Sequence, residues 1–106
     1  MYRAKIGIMG GYGAYAGLHF YERVLEEFKT GREIDYPHII MDNDFTMPSR
    51  TRALLYGEAY EEVVFDIASS AKRLIGAGAD YIIMCCGTAH AFLPDVYRTC
   101  PELKKE

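Results

Sequence analysis

The stretch Tyr81-Ile82-Ile83-Met84-Cys85-Cys86-Gly87-Thr88-Ala89-His90 constrains this chain more than any other. Tyr81 to Met84 form an apolar run with two β-branched residues at its centre, and Gly87 breaks that run straight into a helical segment. Such a run has the composition of a parallel strand covered on both faces. Cys86 then stands at the carboxyl end of the strand, where open α/β sheets place their ligand sites. Thr88 is suited to cap the following turn, whose unpaired N–H groups and partial positive charge favour an anion. A thiol in that field loses its proton more readily than a free cysteine, with its pKa of about 8.5. The competing reading is structural: Cys85-Cys86 as small apolar filler, a common fate of cysteine.

The remainder of the chain alternates strand and helix. Ala4 to Met9 read as a first strand, closed by Gly10-Gly11-Tyr12-Gly13. Ala14 to Phe28 follow the helical period, with Leu18, Tyr21, Val24, Leu25 and Phe28 on one stripe and Glu22, Glu26 and Glu27 facing out. Gly31 suits the stop beyond its end. Pro37 opens a second strand, His38 to Met41, at a position where a missing ladder donor matters little. Pro48 is placed to start a short helix that Gly57 ends. A long helix over 58–75 carries the stripe Tyr60, Val63, Val64, Ile67, Ala68, Ala71, Leu74 and Ile75, and Gly76-Ala77-Gly78 lead into the third strand. Pro94 starts a further short helix, and the polar residues 101–106, with Cys100 before them, read as a frayed tail.

This order predicts an α/β fold: a small open parallel sheet with helices on both faces, a Rossmann- or flavodoxin-like unit with strand order 2-1-3. The third strand is expected to have an uncovered edge, with the chain stopping where a fourth strand would begin.

Composition narrows the function. The 106 residues suffice for one domain with a core of its own, without disulfide staples. A net charge of -3 and no Lys/Arg cluster remove any electrostatic case for nucleic acid. No stretch approaches the roughly 18 apolar residues of a membrane span, and Met1-Tyr2-Arg3-Ala4-Lys5 leads into a strand and not a signal peptide. Three cysteines, two of them adjacent, make no disulfide framework and point to a reducing, cytoplasmic setting.

Three constellations could carry chemistry, all at carboxyl ends of strands, where one cleft can collect them. Gly11-Tyr12-Gly13-Ala14-Tyr15-Ala16 fits a loose dinucleotide fingerprint, but also a purely structural tight turn or a small-carboxylate site. Asp42 lies too far on, and in too long a loop, to suit the ribose-binding acid of a dinucleotide site. In the Asp42-Asn43-Asp44 to Arg52 loop, Arg50 offers a planar fork to a carboxylate, or is a solvated surface residue. The acidic residues there lack a second cluster or histidine spacing, so no metal site is expected. Around Cys86, Thr88 is a substrate hydrogen-bond donor and His90 either a thiolate partner or a structural histidine.

These motifs resemble those of the aspartate/glutamate racemase family of cofactor-independent amino-acid racemases. The family's Gly-Gly-Met-Gly-Pro opening is similar to Gly10-Gly11-Tyr12-Gly13-Ala14. Its Pro-Asp-Arg-Thr loop resembles Pro48-Ser49-Arg50-Thr51, and its signature Cys-Asn-Thr-Ala-His resembles Cys86-Gly87-Thr88-Ala89-His90. The resemblance covers nearly the whole chain but only the first half of a family member, and it implies one half of a two-domain racemase. It further implies a two-base reaction on aspartate or glutamate, in which one cysteine removes the α-proton and a second returns a proton to the opposite face. Neither pyridoxal phosphate, another cofactor nor a metal takes part. Cys86 would be one base. Gly11, Tyr12, Gly13, Arg50, Gly87, Thr88 and Ala89 would contact substrate, and Asn43, Ser49 and His90 would stand behind them. Cys85 cannot be the second base, because neighbouring strand residues point to opposite faces; a second copy of the chain or a missing C-terminal half is expected to supply it. Three positions depart from the family: Gly87 for asparagine, Ser49 for aspartate and Tyr12 for methionine. The alternatives are a non-catalytic carboxylate-binding or regulatory module, or another cysteine-dependent isomerase or decarboxylase of small acids.

Overall fold

The computed structural model describes residues 4–29, 31–85 and 88–101. The elements are β1 (Lys5–Gly10), α1 (Ala14–Glu27), a 3-10 turn (Glu33–Asp35), β2 (His38–Asn43), α2 (Arg50–Tyr56), α3 (Tyr60–Gly76), β3 (Tyr81–Met84), a second 3-10 turn (Thr88–Phe92) and α4 (Leu93–Thr99). The three strands form one parallel sheet in the order β2-β1-β3, as the alternation of strand and helix predicts. From β2 the chain moves to the far side of β1, opposite in direction to the first crossover. Right-handed connections therefore put α1 on one face of the sheet and α3 on the other.

Register sorts the side chains between the faces. Gly7 lies between Ile40 and Ile82, and Met9 between Asp42 and Met84. This row faces α3, whose stripe Val63, Val64, Ile67, Ala68, Ala71 and Leu74 is buried as its period requires. Phe92 and Val96 close the same cluster from the chain end. Each fully buried Ile, Leu, Val or Phe there contributes about 1.5–3 kcal/mol.

The other row pairs Ile6 with Ile39 and Tyr81, and Ile8 with Met41 and Ile83. Ile6 and Ile8 are buried, yet Tyr81 is 50% exposed and Ile83 36% exposed. The expectation that the third strand is covered on both faces is thus wrong. α1 joins β1 to β2 and packs against β1, and it leaves Tyr81 and Ile83 of β3 exposed on that side. The same opening corrects the reading of α1. Leu18 is 52% exposed and Tyr21 also lies at the surface, and Gly17 is the helix's one buried residue among those described.

Local signals account for most boundaries. Gly57 ends α2 in the left-handed region at φ 71, and its N–H donates to the Ala53 carbonyl at 2.9 Å. Pro48 does not begin α2; Ser49 caps it, its hydroxyl oxygen accepting from the Arg52 N–H at 3.1 Å. β2 runs two residues further than Met41, carrying Asp42 and Asn43 into the sheet. Cys100 is no part of a frayed tail: it is fully buried in the α3 cluster, and its N–H donates to Val96 at 2.8 Å. Residues 102–106 lie outside those described.

Candidate functional site

Each strand's carboxyl end delivers one of the three constellations. After β1, Gly11 and Gly13 take φ values of 97 and 112, which a side chain rarely tolerates. The two glycines serve different ends. A Cβ on Gly11 would collide with the backbone of Asp44, and one on Gly10 with the side chain of Asn43. Gly11 is therefore required for the close approach of β1 to the loop after β2, whereas a side chain at Gly10 would displace the amide of Asn43. A Cβ on Gly13 would meet only Ala16 Cβ, at an ordinary 4.0 Å, so this glycine serves the turn into α1. No side chain caps the α1 N-terminus, and its first turn holds no acidic residue. Its partial positive charge thus faces the strand ends uncompensated by a carboxylate of its own turn.

After β2, both acidic residues are committed within the fold. Asp42 accepts two bonds from Arg73 (3.0 and 2.9 Å) and one from the Ser70 hydroxyl (2.5 Å). The Arg73 hydrogen bonds hold its carboxyl below the ordinary carboxylate range, more than partial burial raises it. Asp44 accepts from the Thr46 hydroxyl at 2.6 Å and the Thr46 N–H at 2.9 Å, and these bonds lower its pKa too. The carboxylate that a dinucleotide's ribose would need is thereby taken up by Arg73 and Ser70.

The structure separates the two arginines of this loop. Arg52 makes a two-pronged surface pair with Glu58 (3.0 and 2.9 Å) and lies over Tyr56. Arg50 is partly buried, and its Cζ lies 5.0 Å from the centroid of the Tyr12 ring. One terminal nitrogen, Nη1, donates to the carbonyls of Pro48 (3.0 Å) and Met47 (3.4 Å). Nε is buried and, among the described residues, has no hydrogen-bond partner. A buried donor left unmade costs about 1–3 kcal/mol, and more on a charged group. The glycine turn and the candidate clamp are therefore brought together.

After β3, Cys85 donates its N–H to the Met9 carbonyl at 3.2 Å, keeping the strand paired to β1 up to the signature. Cys86 and Gly87 lie outside the described residues. On their far side Thr88 is exposed at the start of the 3-10 turn, Ala89 is fully buried, and the turn packs against α2. His90 is exposed and lines a cavity of about 650 Å3 between β3, α3 and α4, with Met9, Met84, Leu93 and Tyr97. Among the described residues, Arg50, Tyr12 and Thr88 do not line that cavity. Asn43 packs against Gly10 and Gly17, while Ser49 caps α2.

The Asp42–Arg73–Ser70 cluster escapes a reading of the chain for motifs. One signal for it exists: Ser70 interrupts an otherwise apolar stripe between Ile67 and Leu74, and a buried hydroxyl demands a partner.

The architecture is thus an open parallel α/β unit that brings the glycine turn and Arg50 together at its strand ends. No family model matches the chain. The fold is similar to the solved Picrophilus torridus aspartate racemase, with a TM-score of 0.78 and 29% sequence identity over 87% of this chain. This bears out the resemblance to the aspartate/glutamate racemase family. The match spans 39% of that racemase's length.

Proposed function

We propose that this chain supplies one half of a racemase acting on an acidic amino acid, aspartate or glutamate. The reading rests on the buried, unpartnered Nε of Arg50 beside the glycine turn, in a fold similar to an aspartate racemase. Arg50 takes a substrate carboxylate, with the uncapped α1 N-terminus and Thr88 adding N–H and hydroxyl donors. Cys86, as thiolate, takes the α-proton. The electron pair left on the α-carbon is spread into the adjacent carboxylate, which fixed dipoles stabilise. A second acid, from another half or another copy of the chain, returns a proton to the opposite face. The substrate is inverted, and no pyridoxal phosphate or metal is consumed or needed. Gly87 and Ala89 border the substrate, while Asn43, Ser49 and His90 act behind the contacting residues. A cytoplasmic setting accords with this chemistry; among the described residues no helix is long and apolar enough to cross a membrane.

Incubation with L-aspartate or L-glutamate in D2O tests this directly. Loss of the α-proton NMR signal requires one working base, whereas appearance of the D-enantiomer by chiral chromatography requires two. Cys86→Ala is expected to abolish both. Gly87, in place of the family asparagine, favours one competing reading, a carboxylate-binding module without turnover. That reading prevails if neither exchange nor inversion occurs and Cys86→Ala binds the acid as tightly as the parent.

A further inference from the structure

We infer that Tyr12 is a positioning residue for Arg50 and not a contact for the ligand itself. The inference rests on the carboxylate-binding role of Arg50 proposed above and specifies how that role is achieved. Tyr12 stands between two glycines with positive φ, and this backbone turns its side chain inward. It is only 9% exposed, and its hydroxyl donates to the sulfur of Met9 at 3.0 Å. The phenol proton is thus spent on the core and not offered to a substrate. What it presents to the strand-end site is the ring.

The Arg50 Cζ lies 5.0 Å from the ring centroid, within the roughly 6 Å over which a guanidinium is drawn to an aromatic face. Nη1 is tethered to the carbonyls of Met47 and Pro48. Ring and carbonyls together fix the plane of the guanidinium. A free arginine side chain carries about 2 kcal/mol of rotamer entropy, which a ligand must otherwise offset when it orders the fork. Tyr12 removes most of that cost in advance, and the Tyr12 hydroxyl matters only through the tilt of the ring.

The test uses Tyr12→Phe, Tyr12→Leu and Tyr12→Met, each confirmed as folded by circular dichroism. The first readout needs no ligand. The Arg50 Nε–H is expected as a ring-current-shifted, slowly exchanging NMR signal in the parent and in Tyr12→Phe. In the leucine and methionine variants the shift disappears and exchange accelerates about tenfold or more. A signal unmoved in both of these variants overturns the inference, whatever the protein binds. The second readout is calorimetric titration with L-aspartate and L-glutamate. Tyr12→Phe should stay within about twofold of the parent, while Tyr12→Leu and Tyr12→Met lose about fivefold in affinity. Arg50→Lys should cost less in the Tyr12→Leu background than alone, because the two residues act as one unit. Additive losses would mean that Tyr12 acts on its own and would overturn the inference. A parent that shows the ordered Nε–H yet binds neither acid refutes the carboxylate reading and leaves the positioning role standing.

Discussion

The two faces of this sheet are built from similar residues and end in different states. Toward α3, the rows Ile40-Gly7-Ile82 and Asp42-Met9-Met84 meet the helix's apolar stripe, with Phe92, Val96 and Cys100 packed beside it, and a cavity of about 650 Å3 is left under β3. Toward α1, the rows Ile39-Ile6-Tyr81 and Met41-Ile8-Ile83 begin buried at β1 and end exposed at β3. The residues do not explain the contrast, since isoleucine occupies both sides. Coverage explains it: α3 passes across β1 on its way from β2 to β3, whereas α1 serves only the β1 and β2 side. An apolar residue stabilises a fold by the water it loses, so the same side chain is worth a great deal on one face and little on the other.

The sharpest way to break this contrast is a pair of truncations compared by urea unfolding. Ile67→Ala, in the closed face, is expected to cost about 2–5 kcal/mol, through lost transfer energy and the cavity left behind. Ile83→Ala, on the open side of β3, is expected to cost under about 1 kcal/mol. Equal losses would show that the α1 side is closed in solution.

Next in size is the polar end of the closed face. Asp42→Asn removes the anion that Arg73 and Ser70 hold and is expected to cost about 1 kcal/mol at neutral pH. Exposure of Arg73 keeps it from being larger. The sign follows from the lowered pKa of Asp42. The contribution is fully present above the ordinary aspartate value of 3.8 and disappears as pH falls through the lower folded-state value. The gap between parent and variant should therefore close below about pH 4.

The smallest effect has the opposite sign. Asp66, on α3, has its pKa raised, first by burial and then by the negative charges of Asp44 and Glu62. The folded state thus prefers it protonated, and stability is lost as pH rises through its titration. Asp66→Asn should stabilise the protein at neutral pH by a few tenths of a kcal/mol, and the advantage should vanish near pH 3. A destabilising Asp66→Asn would mean that the carboxylate makes a favourable contact that outweighs its surroundings.

Much of this was written along the chain. The strand order 2-1-3, the α3 stripe and the stop at Gly57 follow from periodicity, from handed crossovers and from the one residue type that accepts a left-handed turn. The meeting of the glycine turn with the arginine loop was legible because strand termini in a parallel sheet share one edge. That Arg50 and not Arg52 turns inward was not legible, since both are arginines two positions apart in a polar loop; Tyr12 beneath Arg50 and Glu58 beside Arg52 make the difference.

Cys100 and β3 were misread for a common reason. A residue's neighbours in sequence say nothing of what another element brings over it. A residue beside a polar tail can be drawn under a helix, and an apolar strand can be left with one bare side. Periodicity is a property of a single element and is set by backbone geometry, so sequence alone determined which elements form and in what order they pair. Burial is a property of two elements at once. Only the tertiary arrangement decided that Cys100 is core, that Ile83 is not, and that Tyr12 lies under Arg50.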